Sequence, residues 1–68
     1  MDQEVFNLSI RKFLKMVGVN SQRELEQAVQ KSIQSGKLRG DETVPVKVML
    51  EIPQLGVKVP FDGEIRLK

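Results

Sequence analysis

The stretch Val17-Gly18-Val19-Asn20-Ser21-Gln22-Arg23-Glu24-Leu25 constrains the fold of this chain more than any other. Ser21 and Glu24 have the spacing of a capping box, in which the serine hydroxyl accepts from the amide three residues on and the carboxylate reaches back. Gly18 can take the left-handed conformation that ends a helix. The stretch therefore predicts a helix that stops near Val17, a turn of about three residues, and a second helix from Gln22.

Both flanks carry helical periodicity. On the N-terminal side, Asp2 is an N-cap candidate and Glu4 suits the first turn. Phe6, Ile10, Phe13, Leu14 and Val17 then form one apolar stripe, widened by Val5 and Met16. Arg11, Lys12 and Lys15 fall on the opposite side, with Leu8 among them. On the C-terminal side, Leu25, Ala28, Val29, Ser32 and Ile33 form the inward face of a second helix over about 22–35, and Gly36 is its stop.

From Val44 the period changes to two. Val44, Val46, Val48, Leu50 and Ile52 alternate with Pro45, Lys47, Met49 and Glu51, the pattern of a half-buried strand. Pro53-Gln54-Leu55-Gly56 is a turn signal, and Val57, Val59 and Phe61 alternate in a second strand. A four-residue loop over 53–56 pairs Ile52 with Val57, Leu50 with Val59 and Val48 with Phe61, all on one face, and sets Glu51 opposite Lys58. Asp62-Gly63 reads as a second turn, and parity selects a three-residue loop with Gly63 left-handed and a third strand marked by Ile65 and Leu67. Pro60 has no amide to donate, so pairing is expected to break near it.

The expectation is an α+β fold with two layers in the order ααβββ. A helical hairpin over about 3–36 packs on one face of a three-stranded antiparallel meander over about 44–68, and the whole is one domain, 1–68.

Several strings carry a resemblance: Phe6-Asn7-Leu8-Ser9-Ile10-Arg11-Lys12-Phe13-Leu14-Lys15, Val17-Gly18-Val19, Ser21-Gln22-Arg23-Glu24-Leu25-Glu26-Gln27-Ala28, Ser35-Gly36-Lys37-Leu38 and Asp62-Gly63-Glu64-Ile65. In these the chain resembles a family of short bacterial proteins known only as a domain of unknown function. The resemblance implies a small stand-alone bacterial protein and brings no activity or functional residues with it.

Composition narrows the chemistry. The 68 residues contain no His and no Cys, which removes the commonest general base and the thiol nucleophile. The four serines have capping, packing or helix-surface roles. Asp41 with Glu42 and Asp62 with Glu64 are close carboxylate pairs, but neither has the spacing of a calcium loop. No catalytic, cofactor-binding or metal-binding residue is assigned, and no enzyme activity or cofactor is expected. Residues 10–30 have the outline of a DNA-binding helix–turn–helix. However, Glu24 and Glu26 stand at the start of the second helix, where carboxylates repel phosphates.

What remains is a possible partner surface: Leu8, Arg11, Lys12 and Lys15. The leading expectation is a small non-enzymatic interaction module that binds a protein partner or forms a weak homodimer, through the first strand or the Val5–Met16 margin. The alternative is a nucleic-acid-binding accessory protein that uses the same basic helix face, although the net charge of only +2 and the lack of interleaved aromatics speak against it. The acidic start Asp2-Gln3-Glu4 is unlike a signal peptide, and no apolar run reaches the ~20 residues of a membrane span, so a cytoplasmic protein is expected.

Overall fold

The computed structural model describes residues 1–68, which fall into two units, Met1–Lys37 and Leu38–Lys68. The first is built on a single helix, α1, which runs unbroken over the 32 residues Gln3–Gln34. Asp2 caps it as its position predicts: the carboxylate accepts from the amides of Glu4 at 3.0 Å and Val5 at 3.2 Å. At the other end Gly36 is left-handed, with φ 83°, and its amide donates to the Ile33 carbonyl.

The expected helical hairpin is therefore corrected to one helix. Gly18 does not adopt positive φ, and Ser21 and Glu24 lie in mid-helix, where their amides bond within the helix and need no capping box. The energetics explain the continuity. Ending one helix and starting another strands four carbonyls and four amides, which must find other partners. Carrying Gly18 through costs only about 1 kcal/mol relative to alanine. No proline precedes Pro45, so nothing in this stretch forbids the helical ladder. The less exposed residues of the C-terminal half and of the supposed joint, Val17, Ser21, Leu25, Val29 and Ser32, follow one another at three- or four-residue steps. They form one line on one helix, running straight through the predicted turn.

The second unit is a β-hairpin. Strand β1 spans Thr43–Ile52 and strand β2 spans Val57–Arg66, ten residues each, paired antiparallel. A one-turn 3₁₀ helix, Pro53–Leu55, joins them and ends on left-handed Gly56 with φ 64°, whose amide donates to the Pro53 carbonyl at 3.2 Å. The register matches the one that parity predicts: Ile52 faces Val57, Leu50 faces Val59, Val48 faces Phe61 and Glu51 faces Lys58.

The three-stranded meander is corrected to this two-stranded hairpin. Asp62 and Gly63 are not a turn. They continue β2 and pair with Lys47 and Val46, and Gly63 does not have positive φ. Period two supplies the reason. Val57, Val59, Phe61, Gly63, Ile65 and Leu67 are all odd-numbered, so one straight strand keeps every apolar side chain on one face without a loop. Continuation also places Asp62 opposite Lys47, a favourable cross-strand pair that a turn would discard.

Nor does the ladder break at Pro60. The Leu67 amide donates to the Glu42 carbonyl at 3.0 Å, which makes 42 and 67 a hydrogen-bonded pair just beyond the strands. Such pairs alternate with non-bonded ones in an antiparallel ladder. By alternation Pro45–Glu64 and Met49–Pro60 are non-bonded pairs, whose main-chain nitrogens point away from the partner strand. Each proline thus lacks an amide that the hairpin does not use.

The apolar face pairs Val44 with Ile65, Val46 with Gly63, Val48 with Phe61, Leu50 with Val59 and Ile52 with Val57. The opposite face carries the charges. No residue of the chain is fully buried, polar or apolar.

Candidate functional site

Helix geometry brings the sequence-predicted surface residues together. At about 100° per residue, Arg11, Lys15, Leu8 and Lys12 fall within an arc of about 100° on α1, with Glu4 among them. All four are exposed, and Leu8 is 62% exposed. Both ion pairs in the chain belong to Arg39, with Asp41 at 3.6 Å and Glu42 at 3.9 Å, so Arg11, Lys12 and Lys15 have no carboxylate partner. The result is a short cationic ridge with one leucine in it. It can attract an anion or an acidic surface.

The rest of the first four turns is more unusual. Between residues 3 and 17 every charged side chain lies in that same arc. The remaining arc of roughly 200° carries Val5, Met16, Ser9, Phe13, Phe6, Val17, Ile10, Gln3, Leu14 and Asn7, none of them charged. Many of these are open to solvent: Phe6 is 44% exposed, Ile10 39%, Phe13 50% and Leu14 55%. A helix that packs on one neighbour needs an apolar stripe of a little over 100°. Here the apolar members run over about 180°, from Val5 to Leu14, with Ser9 and Gln3 among them.

The loop before β1 shows what its carboxylates do. Glu42 accepts from the amides of Arg39 at 2.8 and 3.0 Å, Gly40 at 2.9 Å and Asp41 at 3.2 Å. These main-chain donors, with Arg39 first and Gly40 second, hold its carboxyl well below the ordinary value of 4.5, at about 2. Its oxygens are taken up by the loop's own amides, so Glu42 is a loop-closing residue. No group of three or more His, Cys, Asp or Glu side chains in the chain is placed to hold a metal ion. In sequence Asp41 and Glu42 stand out only as a pair of adjacent carboxylates. The signal for the loop is the run Arg39-Gly40-Asp41, where glycine lets consecutive amides converge on one acceptor.

A titration follows from this. A folded-state pKa below the unfolded one means the loop bonds stabilise fully above about 4.5 and are lost as pH falls from there through 2. The amide proton shifts of Arg39, Gly40 and Asp41 are expected to titrate together with a midpoint near 2, and Glu42→Gln is expected to abolish that transition. A midpoint at 4.5 in the parent would show the carboxylate to be free.

No helix is long and apolar enough to cross a membrane. Compared with known proteins, the whole span of residues 1–68 matches the model of one family, described as a family of unknown function, DUF6494. No curated protein and no solved structure matches the chain.

Proposed function

We propose, from the premise that the chain belongs to this family of unknown function, that it is a small non-enzymatic interaction module of the bacterial cytoplasm, which works by binding another protein. One observation carries this reading. No residue is buried, while fifteen large apolar side chains stand substantially exposed, in a chain that is 40% hydrophobic. On α1 alone Val5, Phe6, Ile10, Phe13, Leu14 and Met16 share one uncharged arc and are each 39–59% exposed, and exposed contiguous apolar surface of that kind marks an interaction site. The absence of His and Cys from the sequence is in keeping with a binding role.

A second reading has its own support in the cationic ridge of Arg11, Lys12 and Lys15, none of which forms an ion pair. It makes the chain a nucleic-acid accessory protein. A pull-down from bacterial lysate with and without nuclease separates the two: on the leading reading, the captured protein survives nuclease treatment. On the second reading, replacing the three cations with Gln abolishes binding. The parent's affinity then falls with salt at a slope set by about three phosphate contacts. The expected result for the parent is no sub-micromolar nucleic-acid binding at physiological salt.

A further inference from the structure

We infer that the outward edge of β1 from Lys47 to Glu51 is the contact surface for a second copy of this chain, the two edges pairing antiparallel about a two-fold axis at Met49. This rests on the interaction-module reading and gives it a partner. Every group involved belongs to the hairpin unit, Leu38–Lys68.

The first observation is a row of main-chain groups without partners. The ladder alternates, so Lys47, Met49 and Glu51, like Pro45, turn their main-chain nitrogens and carbonyls away from β2. No main-chain bond from another part of the chain reaches these residues. Such an edge is paired along its length only by another extended strand. The chain has two strands, already paired with each other, and no third remains to complete the edge. A helix satisfies its main chain internally, and the loop amides of Arg39, Gly40 and Asp41 are taken by Glu42.

The second is charge. A two-fold axis at Met49 sets Lys47 opposite Glu51 of the other copy, twice over, with Met49 opposite itself. Within each hairpin Lys47 faces Asp62 and Glu51 faces Lys58. Across the four strands the charges then alternate in one row: Asp62, Lys47, and Glu51 and Lys58 of the other copy. Registers centred on Lys47 or on Glu51 set like charges together, so the charges select among the alignments.

The third is parity. The same alignment places Val48 beside Leu50 of the other copy and Val46 beside Ile52, so the two apolar faces become one. It pairs Lys47, Met49 and Glu51 through about six hydrogen bonds. The ladder then ends where donors end. Pro45 falls opposite Pro53 of the other copy, and neither has an amide to leave unpaired. Closed two-fold pairs that use one patch twice are the commonest oligomers. The β2 edge is a poorer candidate. Pro60 interrupts its outward amides, and the same operation on the run Asp62, Glu64 and Arg66 sets Glu64 against its own copy.

Sedimentation equilibrium of the full chain up to about 100 µM is the test. The expected result is a concentration-dependent species of twice the 7.7 kDa chain mass. Lys47→Glu and Glu51→Lys each make both cross-copy pairs repulsive, and each alone is expected to raise the dissociation constant roughly 10-fold or more. Mixed in equal amounts, the two variants restore opposite charges at both positions, and the mixture is expected to associate within about 3-fold of the parent. Damage to the hairpin itself would not recover on mixing. Met49→Pro is the second probe. Residue 49 donates nothing to β2, so the hairpin keeps its ladder while the edge loses its central bonds, and monomer is expected throughout the range. Glu64→Lys, on the β2 edge, should leave the dissociation constant within about 2-fold of the parent. If a charge variant fails to fold, Met49→Pro and Glu64→Lys still decide. A 7.7 kDa species unchanged with concentration overturns the assignment. So does a dimer that survives Met49→Pro, a mixture that stays monomeric, or a dimer that Glu64→Lys disrupts equally. The monomer result removes the second copy while the nuclease-treated pull-down still decides the module reading, so the two failures are distinguishable.

Discussion

Gly18→Pro is expected to be the most damaging single substitution in the helical unit, costing about 3 kcal/mol or more. Residue 18 lies deep inside α1, sixteen residues from its last residue, Gln34. Its amide donates to the carbonyl of Leu14 in the helical ladder, and a proline ring removes that bond and collides with the same carbonyl. The break also costs more than one bond, because it creates two new helix ends with unpaired groups in a segment that has no fully buried residue to hold it. Far-UV circular dichroism should show a large loss at 222 nm and a lowered melting transition. Had the chain turned at Gly18, proline nearby would be well tolerated, so a parent-like spectrum would restore the helical hairpin. Ser21→Ala sharpens the test from the other side. Removing a helix cap costs about 0.5–2 kcal/mol, whereas Ser to Ala in mid-helix gains a few tenths. The continuous helix predicts the gain.

Gly56→Val is expected to cost about 1–3 kcal/mol in the hairpin, and Gly63→Val is expected to cost nothing or to stabilise by up to ~1 kcal/mol. Gly56 holds φ 64°, in the left-handed region that a β-branched residue resists. A Cβ built there meets no atom within 4 Å, so the cost is one of backbone conformation and not of collision. The same conformation aims the Gly56 amide at the Pro53 carbonyl, closing the turn that sets the register of both strands. Gly63 is the opposite case. It lies in β2 opposite Val46, its φ is negative and a Cβ there also meets open space. Valine suits an extended backbone better than glycine does and would fill the one gap in the apolar face. Denaturant unfolding followed by hairpin amide signals ranks the two variants. If the ranking is reversed, with Gly63 the sensitive site, the Asp62-Gly63 turn is real.

The hairpin was legible wherever two independent signals agreed. Alternation in β1 and the Pro53–Gly56 turn together specify the pairs Ile52–Val57 through Val48–Phe61, because a slip of one residue would turn every valine to the charged face. Asp62-Gly63 misled because the dipeptide is a strong turn signal taken alone, although the odd-numbered alternation runs through it without a break. The cationic ridge of Leu8, Arg11, Lys12 and Lys15 was equally legible, since helical spacing within four turns is the same whether the helix is 15 or 32 residues long.

The amino-acid order by itself determined the helix start at Asp2, its stop at Gly36, the change of period before Val44 and the register of the strands, because each is set by residues within a few positions of one another. Whether the chain turned at Gly18 and at Gly63 was decided only by the tertiary structure. A helix cap is worth about a kcal/mol, and a bulged three-residue loop is likewise a local preference. Each yields when an unbroken helix or strand keeps more of its hydrogen bonds and cross-strand pairs, and that comparison involves groups far outside the local motif.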